Sequence, residues 1–220
     1  MIQVVTQPIL DVISALDTHW FFLCCGALVK TPSSMKRVKS FANKYVIFTF
    51  QSALTEDSRW KPSNLFAFDA PAFHPIYAAT FLINFFQYII IEGRSFDSAI
   101  GLILNASALS RHTGIVRLWT RDSVVRDCTL RWAHSRTQPW GEPVPYQCPI
   151  CFCIQAWNQK GRGASSELGR DVTMRCSYKE GKQGPCRGCH TVVRPSSPFK
   201  AIKLTEGVWV AFGLENSDCL

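Results

Sequence analysis

The chain has 220 residues, with 24 Lys and Arg against 16 Asp and Glu, and ten cysteines. A 47% apolar content excludes extended disorder, and charged residues at 18% are too few for a coiled coil. A formal net charge of +8 favours polyanionic partners, and it stays positive even after four thiolates bind one Zn²⁺.

The opening stretch, residues 1–20, carries no Lys or Arg and two acids, Asp11 and Asp17. A secretory leader has a positive start and an apolar centre, so the expectation is an intracellular protein, nuclear or cytoplasmic. In that compartment cysteines serve as metal ligands rather than as disulfides.

Thr6 is positioned to cap a helix over residues 7–16, with Ile9, Val12, Ile13 and Leu16 on one face. Residues 20–29 form a continuous apolar run of strand length. Ser34 then caps a helix bearing Met35, Val38 and Phe41, whose outer face carries Lys36, Arg37, Lys39 and Lys44. Residues 45–50 and 64–68 read as buried strands, and residues 75–91 and 96–109 as helices, the second capped by Ser95. The run 76–91 is uncharged but shorter than the ~20 residues of a membrane span, and it contains Asn84 and Gln87. A buried helix is expected, and a membrane is not an expected partner. Residues 114–120 form a further strand.

Undivided apolar strands alternating with helices indicate a three-layer α/β domain built on a parallel or mixed sheet, over residues 1–136. A largely helical domain is the alternative. A Pro- and Gly-rich linker is expected at 137–144, followed by a small β-rich domain over 145–220 that includes the C-terminal strands.

Two CxxC pairs mark that second domain, Cys148-Pro-Ile-Cys151 and Cys186-Arg-Gly-Cys189. A short turn aims both sulfurs of a pair at one ion, and two such turns supply the four thiolates of a closed structural Zn²⁺ site. Cys148, Cys151, Cys186 and Cys189 are therefore the expected ligands. Cys176 is the alternative for one member of the second pair, with 177–185 as an insertion, and His190 abuts Cys189. The order of knuckle, loop, strand, knuckle and strand resembles zinc ribbons over residues 146–195. That resemblance implies a small antiparallel sheet held by one zinc, and no particular activity.

Nucleic acid, DNA or RNA, is the expected partner, with a protein partner as the other possibility. Arg117 and Arg121 flank Trp119 on one strand face, suiting phosphates and stacked bases. Residues 148–200 hold nine Lys and Arg against three acids, with Lys160, Arg162, Lys182 and Arg187 placed to line one side. The rival reading is an α/β enzyme with its pocket at the strand ends near Cys25 and Asp69, the zinc segment acting only as a staple. No phosphate-loop, dinucleotide-binding, GxSxG or HExxH element occurs, so no catalytic residue is assigned.

The phrases Cys25-Gly-Ala-Leu-Val29, His112-Thr-Gly-Ile-Val116, Trp132-Ala-His134 and residues 139–149 (PWGEPVPYQCP) resemble a group of fungal proteins, chiefly from mushroom-forming fungi. The group carries no assigned activity. The resemblance implies only that the α/β and cysteine-rich parts form one natural unit.

Overall fold

A computed structural model describes residues 18–24, 26–51, 62–105, 107–121, 124–134, 137–154, 157–159, 171–178, 186–196, 198–204 and 207–213. The helix expected over 7–16 lies outside them.

The described residues form a mixed α/β fold with two sheets. The larger has six strands in the order β1-β2-β3-β4-β9-β8, built from β1 (Thr18–Phe22), β2 (Pro62–Phe68), β3 (Ile115–Arg121), β4 (Val124–Ala133), β8 (Phe199–Lys203) and β9 (Val208–Phe212). β1 and β2 are parallel, and every other pairing in this sheet is antiparallel. The smaller sheet is antiparallel, in the order β5 (Trp157–Gln159), β6 (Val172–Cys176), β7 (Cys189–Val192).

Helices cover both faces of the large sheet. On one side lies α1 (Pro32–Gln51), where Val38 and Ala42 pack on Leu65 of β2 and on Val116 and Leu118 of β3. On the other, α2 (Ile76–Phe85) and α3 (Phe96–Asn105) bury Phe81, Phe85, Ile100 and Ile103 against Phe66, Phe68 and Ile115. Strand alternation makes this possible, since Leu65 and Phe66 point to opposite faces and each finds a helix.

Several local expectations change. α1 is capped by Thr31, whose Oγ1 accepts the Ser34 N–H at 3.1 Å, and Pro32 takes the first helical position. Residues 45–50, expected as a strand, continue α1, because no Gly or Pro separates them from the helix that begins at Pro32. The strand expected over 20–29 ends at Phe22, and Gly26–Leu28 turns as a 3-10 segment instead. Gly26 passes so close to the Asp69 carbonyl that a side chain would overlap it.

The helix expected to be buried over 75–91 is buried on one side only. Phe81 and Phe85 are enclosed, whereas Ile76, Ile83, Phe86 and Ile91 are more than half exposed. Its second half, Phe86–Ile91, is a π-helical turn. Asn84 donates to the Ile103 carbonyl and Gln87 to Glu92, which gives both internal amides a partner. No helix among the described residues is long and apolar enough to cross a membrane.

The segment expected as a linker is packed rather than extended. Trp140 is 3% exposed, sits at φ 55°, and meets Phe199 of β8 edge-on at 5.0 Å. With Val172, Met174 and Val192 it forms the apolar core beneath the small sheet. The two C-terminal strands, expected beside the cysteine-rich segment, pair into the large sheet instead: β9 lies along β4, and β8 along β9.

Candidate metal centre

Six cysteines, Cys148, Cys151, Cys153, Cys176, Cys186 and Cys189, lie in the small sheet or the loops beside it. Residues 148–154 make a tight loop in which Phe152 N–H donates to the Cys148 carbonyl and Cys148 N–H to the Cys153 carbonyl. Residues 186–188 make the second turn, tied by Cys186 N–H to the Tyr178 carbonyl and by Cys176 N–H to the Gly188 carbonyl. Between them they bring together the sulfurs of Cys148, Cys151, Cys176 and Cys186, all within 4.8 Å of one another.

Cys148 Sγ and Cys186 Sγ are 3.7 Å apart, and Cys151 Sγ and Cys176 Sγ 3.6 Å. Four sulfurs at ~2.3 Å from a tetrahedral Zn²⁺ would lie about 3.8 Å from each other. Both pairs meet that spacing. Four cysteines grouped in this way suit a soft or borderline metal ion, with no carboxylate or imidazole needed.

The grouping takes in Cys148, Cys151 and Cys186 of the expected ligands, with Cys176 in the fourth place. Cys189 stands outside it. The reason is the pleat of the sheet: Cys189 pairs in register with Arg175, and Arg175 and Cys189 are both exposed. Val172, Met174 and Cys176 alternate onto the buried face. His190, opposite Met174, is half-buried with its ring 6.2 Å from that of Trp157.

Gly188 is held against the sulfurs. A methyl group there would overlap Cys148 Sγ and touch Cys186 Sγ and Cys176 Cβ at 3.4 Å. Its N–H instead donates to Cys186 Sγ at 3.3 Å. The N–H groups of Cys151 and Ile150, aimed at Cys148 Sγ, bring that thiol down to about 7 against the opposing effect of burial. Burial pushes Cys176 up to about 11. Without an ion, then, the cluster keeps protons that a dication would displace, and affinity falls as pH falls.

The expected nucleic-acid residues are placed differently. Arg117 is 6% exposed: its Nε donates to Asn64 Oδ1 at 2.7 Å, and its Nη1 pairs with Asp97 at 2.8 Å. The guanidinium lies over the rings of Phe96 at 4.1 Å and Trp119 at 4.8 Å. It is unavailable to a phosphate, because the first turn of α3 brings the Asp97 carboxylate to the strand face that was expected to meet phosphates. Arg187 is exposed beside Cys186. The side chain of Arg121, and Lys160, Arg162 and Lys182, lie outside the described residues.

A separate cleft of about 330 Å³ opens at the C-terminal ends of β1 and β2, where parallel pairing gives way to antiparallel. Asp69 lies in it, accepting the Gly114 N–H at 2.6 Å and facing Arg131 Nε at 3.5 Å, while Glu142 pairs with the same guanidinium. Lys30 and His112 stand at its rim, and the buried Gln138 Oε1 has no hydrogen-bond partner among the described residues. Cys25, expected at this edge, lies outside the described residues.

Comparison with protein-family models, with curated proteins and with solved structures gave no match. The fungal resemblance gains no support from them, and the functional reading rests on the cysteine geometry.

Proposed function

We propose that Cys148, Cys151, Cys176 and Cys186 hold a structural Zn²⁺ in a zinc-ribbon-like segment, and that this segment engages nucleic acid in an intracellular protein. The observation that carries the reading is the four-sulfur grouping at tetrahedral spacing. Four sulfur donors leave no position open for water, which favours a structural over a catalytic role.

For nucleic acid the support is local chemistry. Arg175 and Arg187 are exposed near the centre, and the exposed rings of Tyr146, Phe152 and Tyr178 could stack on unpaired bases. The expected result is binding to single-stranded oligonucleotide that weakens log-linearly with salt. Arg187→Ala reduces the magnitude of the slope by about 0.7 if it neutralises one phosphate of a single strand. No binding even at low salt contradicts this part of the reading and leaves a protein partner in its place.

The cleft at Asp69 favours a second reading, a small-molecule site on the α/β sheet. Polar groups converge there, and Gln138 Oε1 lacks a donor among the described residues. A panel of small polar anions, screened by thermal unfolding, is expected to contain a ligand that raises Tm in the wild type but not in Lys30→Ala. A panel that never shifts Tm argues against it.

A further inference from the structure

A fifth sulfur lies against the four. Cys153 Sγ is 3.1 Å from Cys151 Sγ and 3.1 Å from Cys176 Sγ. Both separations are shorter than the about 3.8 Å between two sulfurs sharing one tetrahedral Zn²⁺, so Cys153 does not fit as a ligand beside them. A disulfide needs ~2.05 Å, so the sulfurs must close by only about 1 Å.

The backbone makes this pair. In an extended chain Cys151 and Cys153 would lie about 6.6 Å apart along the strand, at ~3.3 Å per residue. Between them Phe152 adopts φ 57°, a left-handed conformation that is rare for a bulky residue. Its ring is 70% exposed, so burial of the side chain does not explain the strain. The conformation closes the loop in which Phe152 N–H meets the Cys148 carbonyl and Cys148 N–H the Cys153 carbonyl, and in doing so it brings the two flanking thiols together; strained backbone of this kind gathers at functional positions.

We propose that Cys153 is the resolving thiol of a hydroperoxide-reactive site that releases the ion. The proposal rests on the metal reading above. Cys151 and Cys186 are half-buried where Cys148 and Cys176 are buried, and of these two reachable sulfurs Cys151 is the one with Cys153 Sγ 3.1 Å away. Its thiolate attacks one oxygen of H₂O₂ and the O–O bond breaks, giving Cys151 sulfenic acid and hydroxide. Cys153 sulfur then attacks the sulfenic sulfur. The S–S bond forms, the S–O bond breaks, and the oxygen leaves as water with the thiol proton. Two thiols lose two electrons and the peroxide gains them. The disulfide removes one of the four donors, and the remaining three hold the ion more weakly. Reduction restores the fourth.

The test titrates zinc-loaded full-length protein with one and then two equivalents of H₂O₂ per chain, the second being what sulfinic acid requires, wild type beside Cys153→Ala. Native mass spectrometry, a zinc-responsive dye and differential alkylation are the readouts. The wild type is expected to lose 2 hydrogen masses, to give a Cys151–Cys153 disulfide and free zinc, and to rebind zinc after dithiothreitol. Cys153→Ala is expected to gain one or two oxygen atoms on Cys151 and not to recover its zinc fully, because a sulfenic acid with no resolving thiol proceeds to sulfinic acid. A wild-type disulfide that excludes Cys153, or full recovery in the variant, overturns the proposal. So does a Cys153→Ala protein that holds no zinc before oxidation, which would make Cys153 a ligand. A wild type without zinc fails the metal reading instead, and the same mass changes in metal-free protein still decide the thiol chemistry.

Discussion

Arg117→Ala is expected to destabilise the protein by about 3 kcal/mol, lowering Tm by roughly 6–12 °C for a chain of this size. The guanidinium is enclosed between two aromatic rings and holds both Asn64 and Asp97. Removing it leaves the buried Asn64 Oδ1 without that donor and opens a void between Phe96 and Trp119. Asp97 remains 45% exposed and keeps its water, which holds the cost to the lower end of what breaking a buried pair does. Thermal and urea unfolding read the effect. A surface arginine waiting for phosphate would behave oppositely, with unchanged Tm and weakened polyanion binding, because exposed positions usually stay within ~0.5 kcal/mol.

Gly188→Ala is expected to abolish ion binding and to release the small sheet from its folded state. The added methyl has nowhere to go, since its contacts are the sulfurs of Cys148 and Cys186 and the Cβ of Cys176, all within the four-cysteine group, rather than the flexible end of a long side chain. Among the described residues the small sheet's apolar core is small: Trp140, Val172, Met174 and Val192 are buried, with Val144, Trp157 and Phe199 packed against them. Structural Zn²⁺ contributes on the order of 10–16 kcal/mol of apparent binding free energy in small thiolate sites, more than such a core supplies. Hydrogen exchange should therefore rise across β6 and β7 in the variant, while β2, β3 and β4 stay protected by the two helix-covered cores. Normal zinc content with protected β6 and β7 would contradict the packing at Gly188.

Much of the large sheet was legible because its strands are short apolar runs with helices between them. Residues 64–68 and 114–120 gave β2 and β3, and Ser95 caps α3 as its position suggested. β4 was hidden by its charge. Arg126, Asp127 and Arg131 interrupt its apolar pattern, although Cys128, Leu130 and Trp132 alternate onto the buried face at period two. Helix and strand are indistinguishable in a run such as residues 45–50, where only continuity with Thr31 and Pro32 decides. The pairing of β9 with β4 spans some eighty residues of sequence, and nothing local specifies it.

At the cysteines, CxxC spacing identified three of the four grouped sulfurs. It chose Cys189 over Cys176 because spacing ignores strand pleat. The pattern VTMRC carried the missing signal: Val172, Met174 and Cys176 share a face, which turns Cys176 inward. The burial of Arg117 could not be read from the strand alone, since Asp97 and Asn64 reach it from elements distant in sequence.

Zinc content of the purified protein, determined by elemental analysis beside Cys176→Ser and Cys189→Ser, tests the four-thiolate centre most directly. One zinc per chain in the wild type and in Cys189→Ser, with loss in Cys176→Ser, is the predicted result. Zinc kept by Cys176→Ser and lost by Cys189→Ser, or absent from the wild type, would contradict it.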